Sequence, residues 1–193
     1  MRKINREDLF SLEKYEEIRP SFRERVMEHK ASRRVPVGPS ATLYFEDRLT
    51  IHYQIQEMLR AERIFDQAGI EGELSAYNPL IPDGANWKAT FMIEYDDPAQ
   101  RRAELARLVG IERRVWVMVE GFNKVFAIAD EDLERSTPEK TAAVHFLRFE
   151  LSGEMVDAIK QGASVTCGID HPLYRYEAQA PEHSCKSLAL DLD

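Results

Sequence analysis

Apolar positions between Asp47 and Gly69 recur at helical spacing. Ile51, Ile55, Met58 and Phe65 fall on one stripe, Gln54 lies at its edge and Glu62 falls near its centre. The pattern predicts a helix over residues 50–67, capped by Asp47 or Thr50 and ending near Gly69. A carboxylate in the middle of an apolar stripe has to be neutral, paired or liganded. Glu62 is therefore the first candidate for chemistry.

Upstream, Asn5 is suited to cap a first helix with Glu7 and Asp8 in its opening turn and Leu9, Leu12 and Tyr15 on its apolar face. Pro20 interrupts this run, and Ser21 can cap a second one bearing Phe22, Val26 and His29. Val35-Pro36-Val37-Gly38-Pro39 breaks helix, and residues 41–46 read as a short strand.

Downstream the period changes to two. Ala89, Phe91, Ile93 and Tyr95 alternate with Thr90, Met92 and Glu94. Asp97-Pro98 opens a helix that runs to Val109 and closes at Gly110. Val115–Glu120 and Lys124–Ala129 form a hairpin candidate, and Val144–Leu151 is a further strand. Ser152 caps a helix that ends at Gly162, and Ser164–Ile169, Tyr174–Ala178 and Ser187–Leu190 read as final strands. This order predicts an α+β fold in a single domain over 1–193. Its N-terminal part (1–69) is mainly helical. Its strand-rich part (70–193) is a mostly antiparallel sheet with two further helices packed on it.

The length of 193 residues allows a sizeable core, and 44% apolar with 31% charged residues is ordinary for a globular chain. A net charge of -8 argues against nucleic-acid or anionic-membrane binding. The charge is uneven, with the basic residues of the first third concentrated between Arg19 and Arg34. No apolar run reaches a membrane span and no secretory signal opens the chain, so a reducing cytoplasm is expected. Cys167 and Cys185 stand far apart and outside any CxxC pair; free thiols are favoured over one disulfide.

The polar candidates surround the predicted helix. Glu62 would either pair with Arg33, Arg34 or Arg48, or act as a metal ligand or general base. Glu57 points away from the stripe and reads as solvated surface. Glu46, Arg48, Arg60 and Arg63 complete the charged set, and arginines suit bidentate carboxylate or phosphate recognition. His52 lies on the helix flank. His145 lies on the inward face of a strand, where a hydrogen-bonded core histidine is the simpler reading. Glu62, Glu57, His52 and His145 are the metal-ligand candidates, in a setting that suits iron, manganese or zinc, although no HxH, HxxxH or HExxH spacing is present. A Cys167–His171 nucleophilic pair is disfavoured by their placement on one strand and turn. Residues 78–87 form a loop that either closes over a pocket or packs as a turn.

Three long segments, EKYEEIRPSFRERVMEHKASRRV, VGPSATLYFEDRLTIHYQIQEMLRAERIF and NWKATFMIEY, resemble a bacterial family known as domain of unknown function 3501, over nearly the whole chain. The family carries no activity or catalytic residues to transfer. The resemblance implies genes beside rubrerythrin-like di-iron proteins and iron–sulfur proteins, hence a role near oxidative stress or electron transfer. Three readings follow. The first is an accessory or binding protein that meets a redox partner through Arg19–Arg34. The second is a metalloprotein or enzyme with a carboxylate/histidine site around Glu62, Glu57 and Glu46. The third is an anion-binding module built on Arg33, Arg34, Arg48 and Arg60. A homodimer is compatible with the sequence, which carries no specific interface signal.

Overall fold

A computed structural model describes all residues, 1–193. The fold is α+β, with six helices and two antiparallel sheets. After a single 3-10 turn at Arg6–Asp8, the N-terminal part holds α1 (Leu12–Ala31), α2 (Arg48–Ala61) and α3 (Gln67–Tyr77). It also contains β1 (Arg34–Pro36) and β2 (Ala41–Glu46). Then come β3 (Asn86–Ile93), α4 (Pro98–Arg107), β4 (Val115–Val119), β5 (Val125–Phe126), β6 (Ile128–Ala129) and β7 (Val144–Glu150). The chain closes with α5 (Gly153–Lys160), β8 (Val165–His171), β9 (Tyr174–Gln179) and α6 (Glu182–Ala189).

The first sheet has the order β1-β2-β3-β7-β6 and the second β5-β4-β8-β9. Their inward side chains share one core: Leu43, Phe45, Trp87, Phe91 and Phe149 from the first, Val115, Val117, Val165 and Ile169 from the second. Period-two alternation explains it, because β3 buries Trp87, Ala89, Phe91 and Ile93 and turns Lys88, Thr90 and Met92 to the opposite face. The chain passes between the two sheets three times, most directly between β5 and β6. β5 pairs with β4, β6 pairs with β7, and between them the Ala127 amide donates to the Val115 carbonyl.

The helical expectations need four corrections. Asn5 caps only the 3-10 turn; Ser11 caps α1, which runs unbroken through Pro20. The lost hydrogen bond at Pro20 is offset by burial of Tyr15, Phe22 and Val26 against Tyr53 of α2. Next, α2 is capped by a reciprocal Asp47–Thr50 box and stops at Ala61, with Arg63 in the left-handed region at φ 54°. The run beyond it is a separate helix, α3, capped by Asp66, so the helical part extends past residue 69. Finally, Ser187–Leu190 is not a strand but the end of α6, so more helices than two follow the N-terminal part. No helix is long and apolar enough to cross a membrane.

Candidate functional site

The outer face of the first sheet carries polar and aromatic side chains in cross-strand rows. Tyr44, Thr90 and Phe146 stand opposite one another on β2, β3 and β7, and so do Glu46, Lys88 and Arg148. The helical layer covers this face incompletely and leaves a groove with two lobes that meet at Tyr77, Leu80 and Phe146.

The first lobe, about 570 Å³, has an apolar patch of Met58, Tyr77, Leu80 and Phe146 and is otherwise charged, with Lys88, Arg135 and Arg148 beside the carboxylates of Glu73, Asp83, Glu131 and Asp132. Arg148 is held by Glu131, at 2.7 Å to each carboxylate oxygen, and by Glu150. Its hydrogen bond from Arg148 keeps Glu131 below the usual carboxylate range. Arg135 is bound to Asp132 and lies over the Phe146 ring at 4.5 Å. Lys88 makes neither an ion pair nor a hydrogen bond with any side chain. Burial, and then the neighbouring Arg148 charge, push its amine below the ordinary lysine value.

The second lobe, about 660 Å³, brings together three of the candidates, Arg34, Glu46 and Gln54. Glu46 is buried and accepts hydrogen bonds from the Thr50 hydroxyl at 2.5 Å and the Thr90 hydroxyl at 2.7 Å. The Arg34 guanidinium sits over Tyr44 at 5.8 Å.

The other candidates lie elsewhere. Glu62 is exposed, because α2 ends before it, and Phe65 is 76% exposed for the same reason. Neither belongs to the expected stripe. Glu57 is not solvated surface: it accepts from the Tyr15 hydroxyl at 2.7 Å and from Arg19 at 2.8 Å, tying α1 to α2. Arg60 pairs with Glu16 and Arg48 with Asp8. Arg33 is 2% exposed, is ion-paired with Asp191 and Asp47, and donates to the Phe45 and Glu46 carbonyls.

His52 is buried beside Phe10 and Phe22 with its Nε2 unpartnered, and burial lowers its pKa. His145 is fully buried, with Nδ1 2.6 Å from Asp130 and Nε2 2.8 Å from the Thr141 hydroxyl. The four metal-ligand candidates thus do not converge, and no group of three or more His, Cys, Asp or Glu side chains is placed to hold a metal ion. Cys167 and Cys185 are free thiols. His171 bonds to the Val109 carbonyl and the Leu173 amide, with no bond to Cys167. Of residues 78–87, Pro79, Leu80 and Asp83 line the first lobe, and Trp87 is core with its Nε1 donating to the Leu188 carbonyl. Reading β3 from its inward side is what hid Lys88. The signal was a lysine on the polar side of a strand whose two neighbouring strands also alternate.

A family model described as "Protein of unknown function (DUF3501)" matches residues 3–192. The chain belongs to the DUF3501 family. This DUF3501 chain is also similar to a crystal structure of a novel protein of unknown function from Burkholderia pseudomallei K96243. The two share 52% identity over 100% of each chain, with a TM-score of 0.95. Among curated proteins, none matches the chain.

Proposed function

We propose that this chain is a binding protein for a small organic molecule with an apolar body and a hydrogen-bond-accepting head, held in the groove between the first sheet and the helical layer. One observation carries the reading. The first lobe has the volume of a ligand site, an apolar patch on one wall and a half-buried lysine amine to which no protein side chain is hydrogen-bonded. An acceptor oxygen of a ligand would complete Lys88 where the fold does not.

The anion-module alternative has less behind it, since Arg33, Arg48 and Arg60 are each paired with carboxylates. The metalloprotein alternative has no assembled donor set. Within the binding reading, a redox or oxidative-stress partner is an expectation of the family resemblance; it would meet the exposed Arg23, Arg25 and Arg34. A reducing cytoplasm accords with two free thiols.

The test is fluorescence titration with an anilinonaphthalene sulfonate dye, which has an aromatic body and an acceptor head. Saturable binding is expected at micromolar concentrations, weakened about tenfold or more by Leu80→Trp, which fills the lobe. Binding that does not saturate, or that ignores the substitution in a folded variant, overturns the reading.

A further inference from the structure

Lys88 sits at the middle of a row in which both neighbours are already occupied. Glu46, across one strand, spends its carboxylate on Thr50 and Thr90. Arg148, across the other, is bound to Glu131 and Glu150. Lys88 therefore lines the lobe with no hydrogen bond or ion pair of its own. The Arg148 and Lys3 charges act on it in one direction and the Glu131 and Asp83 carboxylates in the other, and burial with Arg148 outweighs them. An amine that is partly desolvated and set next to a second cation holds its proton less tightly, and more of it is present as the free base. A free amine in a cleft with an apolar patch to seat the carbonyl compound is a nucleophile toward carbonyl carbon.

We propose that Lys88 is a carbonyl-capturing residue, forming an imine with a small, partly apolar aldehyde or ketone seated in the first lobe. This deepens the binding reading above and rests on the same groove. The Nζ lone pair forms the N–C bond while the carbonyl π pair moves to oxygen, which takes up a proton. The resulting carbinolamine then loses its hydroxyl oxygen as water, with the nitrogen giving up its remaining protons. Amine plus carbonyl becomes imine plus water, with no oxidant or reductant and with protons exchanged through the open mouth of the lobe.

The experiment is competitive labelling of the full-length chain with benzaldehyde and sodium cyanoborohydride at neutral pH, stopped at low conversion. Peptide mass mapping then compares Lys88 with the exposed Lys14 and Lys186, whose amines are engaged only in surface pairs. Lys88 is expected to label severalfold faster than either, as a lowered proton affinity and a cleft that seats the aldehyde favour. Leu80→Trp is expected to slow labelling at Lys88 while leaving Lys14 and Lys186 unchanged. Equal or slower labelling of Lys88 in the wild-type chain overturns the proposal, and that comparison needs no variant to fold. Dye binding without preferential labelling removes the imine chemistry and leaves the binding reading. Preferential labelling without saturable dye binding does the reverse.

Discussion

Replacing Arg33 by methionine is the sharpest test of how the fold is held together. The guanidinium is buried and does five jobs at once: it faces Asp191 and Asp47, donates to the Phe45 and Glu46 carbonyls, and reaches the Ser187 hydroxyl at 3.1 Å. Breaking a buried ion pair from one side costs roughly 3–5 kcal/mol, because the remaining charge stays desolvated. That cost depends on pH. Burial raises the Asp191 carboxyl to about 6 even with Arg33 and its hydrogen bond pulling the other way. A carboxyl raised above its unfolded value of 3.8 stabilises the fold fully below that value and loses the contribution as pH climbs through 6. In the wild type this swing is roughly 3 kcal/mol at about 1.4 kcal/mol per unit.

Without Arg33 the carboxyl rises further and the fall continues above neutrality. Urea denaturation of Arg33→Met should therefore show a loss of about 3–5 kcal/mol near pH 7.5 and a clearly smaller loss near pH 5, where Asp191 holds its proton. Adding Asp191→Asn to Arg33→Met should recover much of the difference near pH 7.5, since the orphaned charge is gone. A loss below about 1 kcal/mol, an equal loss at both pH values, or no recovery in the double variant would refute the assignment of Arg33 as the counter-charge of Asp191.

Other consequences follow from single positions. Glu62→Leu changes an exposed cap residue, so its midpoint in a thermal melt should stay within what about 0.5 kcal/mol produces; a larger change would place the side chain in a site. Gly168 lies directly under Trp116 on the neighbouring strand, and an added Cβ would come 2.1 Å from the indole. Gly168→Ala should destabilise by about 1–3 kcal/mol or more, read by denaturant unfolding, and a neutral result would mean the ring is free to move. Burial pushes the Cys167 thiol up to about 12, so an aromatic disulfide reagent should modify only Cys185 in the native chain and both thiols in denaturant. Rapid native modification of Cys167 would contradict its place in the core.

The sheets were legible because alternation is a local signal. The inward set of β7, from His145 through Leu147 to Phe149, is buried as its period implies, and Asp97-Pro98 and Ser152 start the helices their cap chemistry predicts. The helices failed where the deciding interaction is distant. Pro20 reads as a break until the opposing face of α2 is known. Extending the stripe past Ala61 misplaced Glu62 and Phe65, although Asp66, three residues before Gly69, was an available cap signal for a new helix. Of the eight polar candidates, Arg34, Glu46 and Gln54 share one lobe of the groove, while the charges of Glu57, Arg33, Arg48 and Arg60 are absorbed by partners that helix spacing alone does not name. The opposite lobe, with Lys88, is assembled from α2, α3, β3 and β7, and no local pattern spans those segments.

The Arg33–Asp191 pair also constrains the order of events during synthesis. The two residues are 158 positions apart, and the Trp87 indole likewise waits for the Leu188 carbonyl, 101 positions later. While the nascent chain is still on the ribosome, its first two helices and central strand can form, but the Arg33 guanidinium has only Asp47 and the Phe45 and Glu46 carbonyls as partners and the Trp87 indole has none. They close only when α6 emerges. Long-range contacts of this kind slow folding, so the N-terminal two thirds of the chain should spend the later part of translation as a client for chaperones rather than as a finished unit.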